Sequence, residues 1–364
     1  MSFGNASRCG LGVKLHRCAA ARAAAIVSSL LACGSAVGQS NTAAWGDDPT
    51  FGSLNVPPGN YAEVAAGSLF GIGLRTDGTL VGWGSNMFNQ ATPPAGTFQR
   101  VQSTWNYSIA IRTDGTLAHW GDTFVGQQFV PSGQFSDVAV GQYHCLALRP
   151  EGTLVGWGQG LVWSPYSGPP SGAFVQIACG DFFSLALRAD GSIVAFGDNS
   201  HGQLNVPPGT YKAIAAAGGA GAGGSSLAIR TDGTLVAWGN NTYGQLNVPA
   251  GVFSHIASKV VCSAAIRVDG TLVEWPPNCS GAPVPAGRFK SVDVQTFGVA
   301  IRECKANCDG SSVSPVLNAN DFQCFLIKFA IGESYANCDA STNVPVLSAN
   351  DFQCFINAFA TGCS

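Results

Sequence analysis

Beyond residue 38 the histidines are His119, His144, His201 and His255, each tens of positions from the next. None has a partner at metal-ligand spacing, and no nucleophile elbow or zinc motif accompanies them. Acidic pairs could meet only across a space that the fold itself creates, so the residues display no convergent acid–base set. The expectation is therefore a binding protein and not an enzyme. Cysteine chemistry is more legible. Of 13 cysteines, Cys304, Cys308, Cys324, Cys338, Cys354 and Cys363 crowd the last 61 residues, while Cys145, Cys179, Cys262 and Cys279 are spread through the middle. Six in so short a stretch of an exported chain read as disulfides.

The elements that would position such residues come from a recurring phrase. Leu74-Arg75-Thr76-Asp77-Gly78-Thr79-Leu80-Val81-Gly82-Trp83-Gly84 flanks an Asp-Gly pair with alternating apolar residues, the pattern of a β-hairpin. It returns at 111–121, 148–158, 187–197 (with Phe196 for Trp), 229–239 and 266–276. Its Trp half occurs seven times, at Trp45, Trp83, Trp120, Trp157, Phe196, Trp238 and Trp275. Its Arg half also occurs seven times, at Arg75, Arg112, Arg149, Arg188, Arg230, Arg267 and Arg302. Trp45 has no hairpin before it and Arg302 none after it, so a closed ring would pair these two orphan strands and cover the sheet edges. Each copy adds a connector such as Gly202–Gly209, ending in a proline turn, and an aromatic-led strand such as 135–141. Four extended pieces per copy predict the blades of an all-β seven-bladed propeller.

The copies resemble the repeats of the regulator of chromosome condensation family, through their Ala-Leu, Asp-Gly, Trp-Gly and Gly-Gln-Leu elements, over roughly residues 43–302. The founder of that family binds chromatin and exchanges nucleotide on a small GTPase. That activity is not carried over to an acidic, exported chain, for which a secreted bacterial β-lactamase inhibitor built on the same propeller is the nearer precedent. Recurrence assigns the tryptophans to packing between blades and the arginines to backbone hydrogen bonds between blades. His144 matches the family's usual histidine and is expected to be structural. Function belongs where copies differ, in the loop five to seven residues before each Arg. There Trp105, Asn106, Gln142, Tyr143, Asp181 and Phe182 do not repeat and should cluster on adjacent blades, an aromatic and amide mixture suited to a protein or glycan ligand. Aromatics at that place could equally seal the mouth of the channel. The glycine run 218–224 lengthens one interval between arginines to 42 residues and reads as a flexible loop, not a phosphate cradle.

Charged residues are only 11% of the chain and Gly numbers 47, a turn-rich β composition. Arg8, Lys14, Arg17 and Arg22 precede an apolar run from Ala23 to Ala32, which predicts a signal peptide over residues 1–38. Cleavage after Gly38 is favoured by Ala36-Val37-Gly38, and Leu30-Leu31-Ala32-Cys33 is the lipoprotein alternative. Its removal moves the formal charge from −3 to −7, which offers no general attraction for nucleic acid. No other stretch is long and apolar enough for an integral membrane segment in the mature chain. The expected location is extracellular, periplasmic or at the cell surface.

Residues 39–303 thus form the propeller and 304–364 a second module with a repeat of period 30. In each half a loop precedes apolar residues at helical spacing, Phe322, Phe325, Leu326 and Phe329, then Phe352, Phe355, Ile356 and Phe359. The module resembles the cysteine-rich dockerins of exported bacterial proteins, a small α-helical, paired EF-hand-like fold. That resemblance implies Ca2+ on Asn307, Asp309, Ser311, Asn318 and Asp321, and on Asn337, Asp339, Ser341, Ser348 and Asp351. Each loop carries two carboxylates and spans 14 positions instead of 11, so disulfides would take over part of calcium's role. Cys304 with Cys363 would bracket the repeat, with Cys308–Cys324 and Cys338–Cys354 as symmetric pairs or the crossed pairing in their place. Together these readings predict an exported, non-catalytic binding propeller anchored through its tail to a protein receptor. A secreted polysaccharide-degrading enzyme, or an inhibitor of a secreted enzyme, is the alternative.

Overall fold

The computed structural model describes residues 41–303 except 47–49, 124–125, 127, 159–168, 219–222, 261 and 278. The expected signal peptide over residues 1–38 and the expected dockerin-like module, with its cysteines and candidate calcium ligands, lie outside the described residues.

Each Asp-Gly phrase folds as a hairpin because one glycine and one carboxylate close it. Gly78 takes φ 84°, and the Asp77 carboxylate accepts the Thr79 amide at 2.9 Å and its hydroxyl at 2.6 Å. These bonds hold the Asp77 carboxyl below its usual range. The same closure recurs at Asp114, Asp190, Asp232 and Asp269. An aromatic-led strand pairs antiparallel with each hairpin, giving seven sheets of three strands.

The strands of blade 1 are Tyr61–Ala66, Phe70–Arg75 and Leu80–Gly84, and those of blade 2 are Phe98–Thr104, Tyr107–Arg112 and Leu117–Gly121. Blade 3 is Asp137–Val140, His144–Leu148 and Leu154–Gly158, and blade 4 is Gln176–Cys179, Phe183–Leu187 and Ile193–Gly197. Blade 5 is Tyr211–Ala217, Ser225–Arg230 and Leu235–Gly239, and blade 6 is Phe253–Lys259, Cys262–Arg267 and Leu272–Trp275. Blade 7 is Phe289–Val294 and Phe297–Arg302, with Thr42–Gly46 as its outer strand. The first strand of every blade touches its counterparts in both neighbours, so seven inner strands surround a central channel.

Closure follows the expected pairing of the orphan strands, with Thr42 opposite Ile301 and Gly46 opposite Phe297. Asn41 extends it by exchanging side-chain hydrogen bonds with the Tyr61 amide and carbonyl, both at 2.9 Å, which joins blade 7 to blade 1. The fourth extended piece of each copy is not a strand. The connector coils, as where Asn205 bonds back to Gly202 and Val206 to Leu204, and its prolines lack the donors a ladder needs.

The tryptophans pack between blades as their recurrence implies. Trp120 of blade 2 lies in one cluster with Phe70, Ile72 and Leu74 of blade 1, and Trp83 lies with Phe297, Val299 and Ile301 of blade 7. Their indoles donate to carbonyls of the incoming connector, Trp83 to Ser53 at 2.7 Å, Trp120 to Gln90 at 2.9 Å, Trp238 to Gln203 at 2.8 Å and Trp275 to Gln245 at 3.0 Å. The glycine after each Trp has positive φ, as at Gly84 (86°) and Gly239 (100°), and a Cβ on Gly84 would stand 2.5 Å from the Leu69 carbonyl. In blade 6 Pro276 takes that place after a cis bond to Trp275.

The arginines correct the expectation of contacts between blades. Arg112, Arg230 and Arg267 stack over Phe98, Tyr211 and Phe253 of their own blades at 5.0, 5.5 and 5.0 Å. Arg230 and Arg267 also donate to Pro208 and Ala250 in the turn entering the same blade. The register explains this, because the Arg lies directly opposite the aromatic that starts the inner strand.

A mature chain lacking residues 41–46 would leave the Phe297–Arg302 edge bare. It is expected to self-associate by light scattering and to unfold at lower denaturant, while Trp45→Ala alone should cost about 3–5 kcal/mol. An unchanged midpoint in both variants would show that this strand does not hold the ring.

Candidate functional site

Two places gather polar and aromatic groups, the channel and the loop face where inner strands turn into middle strands. Along the channel, the position two residues after the leading aromatic links neighbouring blades. Glu63 accepts the Val101 amide at 3.0 Å, Arg100 meets Asp137 at 2.9 Å and stands 3.5 Å from Glu63, and Gln176 accepts the Ile214 amide at 3.0 Å. Burial pushes the Glu63 carboxyl up to about 7 against the opposing pull of Arg100.

At the loop end, Lys259 of blade 6 crosses the channel. Its ammonium donates to Ala66 O of blade 1 at 3.1 Å, Ser103 O of blade 2 at 2.6 Å and the Asp293 carboxylate of blade 7 at 2.8 Å. Asp293 also accepts the Ala66 amide at 2.8 Å. A space of about 220 Å³ remains among the inner strands. Its described carboxylates are held by a cation or a backbone amide, so the channel is built as a brace.

The loop face carries the residues expected to bind. Tyr143 and Phe182, on blades 3 and 4, stack with ring centres 4.5 Å apart and planes 14° from parallel. Phe182 remains 45% exposed, so this ring of the pair presents apolar surface to solvent. Asp181 lies beside it, and burial pushes its carboxyl up to about 6. Trp105 is not in the stack: its backbone sits at φ 33° and its carbonyl accepts the Ser68 amide at 2.8 Å. Asn106 uses its carbonyl to accept the Asp122 amide at 3.0 Å. Gln142 precedes Tyr143 on the same loop and is half-buried.

His144 beneath this face is structural, as expected. It is buried, with Nε2 2.7 Å from Ser184 Oγ and Nδ1 3.2 Å from Asp181 O, which ties blade 3 to blade 4. Burial drives its pKa down to about 4.

Sequence reasoning missed three features. Beside Phe182, a cavity of about 240 Å³ is bounded by Asp181, Asp198, Ser200, His201, Gly223 and Gly224. The flanks of the glycine run are packed, since a Cβ at Gly218 would fall 1.9 Å from Asp181 Oδ1 and one at Gly223 2.2 Å from His201 Nδ1. Cys262 and Cys279 form a disulfide between blade 6 and its outgoing connector, with Cα atoms 5.4 Å apart. The even number of cysteines between residues 39 and 303 was its signal. Lys259 and Asp293 were also detectable, because the matching residues are small or uncharged, Gly67, Gly141, Gly180 and Ala217 for the first and Ala65, Ala139 and Ala178 for the second.

A closed ring of seven three-stranded sheets is a β-propeller. Four stretches, 61–90, 135–161, 174–203 and 219–245, match the regulator of chromosome condensation (RCC1) repeat. No curated protein matches the sequence over the chain. Among solved structures, the ectodomain of the receptor kinase CR4 from Physcomitrella patens is 18% identical, with TM-score 0.54 over 64% of this chain and 67% of that one. Human WBSCR16 is 16% identical, with TM-score 0.54 over 68% and 88%. Prp20p from Saccharomyces cerevisiae, described with its binding properties to Gsp1p and histones, is 16% identical, with TM-score 0.52 over 74% and 85%. The chain therefore carries RCC1 repeats on an RCC1-like propeller. Among the described residues no helix is long and apolar enough to cross a membrane.

Replacing Lys259 by Met would strip Asp293 of its cation and should cost about 3–5 kcal/mol in chemical denaturation; a loss below 1 kcal/mol would show that the lysine braces nothing. Glu63 holds its proton more tightly folded than unfolded. Stability should therefore fall as pH rises from about 4.5 through about 7, and Glu63→Gln should flatten that slope. An identical slope in the variant would assign it to another group.

Proposed function

We propose that this is an exported, non-catalytic binding propeller that recognises a protein or glycan ligand on its loop face. Its dockerin-like tail, with disulfides and Ca2+ in its loops, would fasten it to a receptor at the cell surface or in an extracellular assembly. The observation that carries the reading is the Tyr143–Phe182 stack, whose Phe182 ring is exposed and which stands where the repeats differ. The Cys262–Cys279 disulfide supports export, because such bonds persist in oxidising compartments. Protein binding by Prp20p, on the same fold, is in keeping with this reading. The braced carboxylates of the channel favour recognition over catalysis.

The test is capture of exported proteins from the source cell by the mature chain, by a chain stopped after Arg302, and by a Tyr143→Ala/Phe182→Ala double variant. A partner retained by the shortened chain and weakened at least tenfold by the double variant is the expected result. A partner that needs only the tail, or ignores the double variant, would remove the loop face as its site.

A further inference from the structure

The cavity beside Phe182 has a chemistry of its own. Among the described residues, its walls hold two carboxylates, Asp181 and Asp198, and neither lysine nor arginine. Asp198 is already engaged: its oxygens accept the Ser200 amide at 3.2 Å, the Ser200 hydroxyl at 2.7 Å and Gln203 Nε2 at 2.8 Å. Against the opposing effect of burial, these bonds keep its carboxyl below the usual range. The Asp181 carboxylate accepts no hydrogen bond from any described residue; the residue is part-buried, and a Cβ on Gly218 would stand 1.9 Å from its Oδ1. Asp181 also lines the cavity, so a donor seated there can bond to it. The exposed ring of Phe182, backed by Tyr143, stands at the cavity edge. Gly223 and Gly224 form the far wall, where a Cβ would run into His201 or Phe183.

A flat cation satisfies all three elements at once. It can lie on an aromatic face, donate to a carboxylate and pass between glycine walls. We infer that this cavity takes the guanidinium of an arginine side chain of a partner protein, with Asp181 as acceptor and Phe182 as platform. The inference rests on the reading of the loop face as the recognition surface, and narrows the ligand there to a protein with an exposed arginine. The titratable groups facing Asp181 are the Asp198 carboxylate and His201 in the same wall, His144, whose Nδ1 meets the Asp181 carbonyl, and Tyr143, whose ring backs Phe182.

The experiment titrates the mature chain with N-acetylarginine amide, its neutral isostere N-acetylcitrulline amide, agmatine and N-acetylglucosamine, by calorimetry or chemical-shift perturbation. The arginine probe should bind at least tenfold tighter than citrulline. Its affinity should drop at least threefold as pH falls from 8 through about 6, and Asp181→Asn should remove at least tenfold. Equal binding of citrulline, tighter binding of agmatine or of the sugar, or an unaffected Asp181→Asn would each overturn the assignment. Should that variant fail to fold, the citrulline comparison and the pH profile of the unaltered chain decide. Partner capture, read in parallel, separates the two readings. A chain that captures its partner on the loop face but treats arginine and citrulline alike loses the cavity assignment only. One that binds the arginine probe but captures nothing through this face keeps the cavity and loses the protein partner.

Discussion

The structure depends on a bond shared by four blades, from an indole N–H on the outer strand of one blade to a buried carbonyl of the connector arriving from the blade before. Trp83, Trp120, Trp238 and Trp275 all make it. The carbonyl belongs to a glutamine in the last three cases, and that glutamine's side chain accepts an amide of its own turn, as Gln203 does from His201 and Gln245 from Tyr243. The connector is thereby fixed without becoming a strand, and the ring fills itself with alternating apolar faces. An unmade bond here would bury both an indole donor and a carbonyl, so the apolar packing and the polar bond stand or fall together.

Inside this frame the channel holds a second, unequal set of links. Blades 1, 2 and 3 are joined by Glu63, Arg100 and Asp137, blades 4 and 5 by Gln176, and blades 6, 7, 1 and 2 by Lys259 and Asp293. The repeats supply the shape, and individual substitutions lace the inner strands. The lysine drawn across that end of the channel ties four blades together through one ammonium.

What the sequence made legible were the residues whose role is set by their own copy. The Asp-Gly hairpins, the packing of the tryptophans and the pairing of Trp45 with the last strand all follow from period and phase. The Tyr143 and Phe182 pair was legible as an exception to the period. The connectors were not, since an alternation such as Leu204-Asn205-Val206 resembles a strand until the following prolines are weighed. Lys259 and Asp293 stood out only as charges where the other copies are small or uncharged; their partners, like the Asp181 cavity, were hidden because they lie on other blades. The stacking of each arginine on its own blade was hidden for a different reason: recurrence reveals that a residue is structural without revealing which neighbour it serves.

Because Thr42–Gly46 completes the sheet whose other strands end at Arg302, the ring joins its first strand to its last. While the chain is being made, the earliest strand has no mate, and blade 1 meets a vacant side where blade 7 will stand. The six intervening blades can form in turn from contacts close in sequence, but the last step must search across some 250 residues, the slowest kind of encounter a chain makes. A helper that shields nascent chains would therefore matter most for the few residues around Trp45, long before the blade they complete exists.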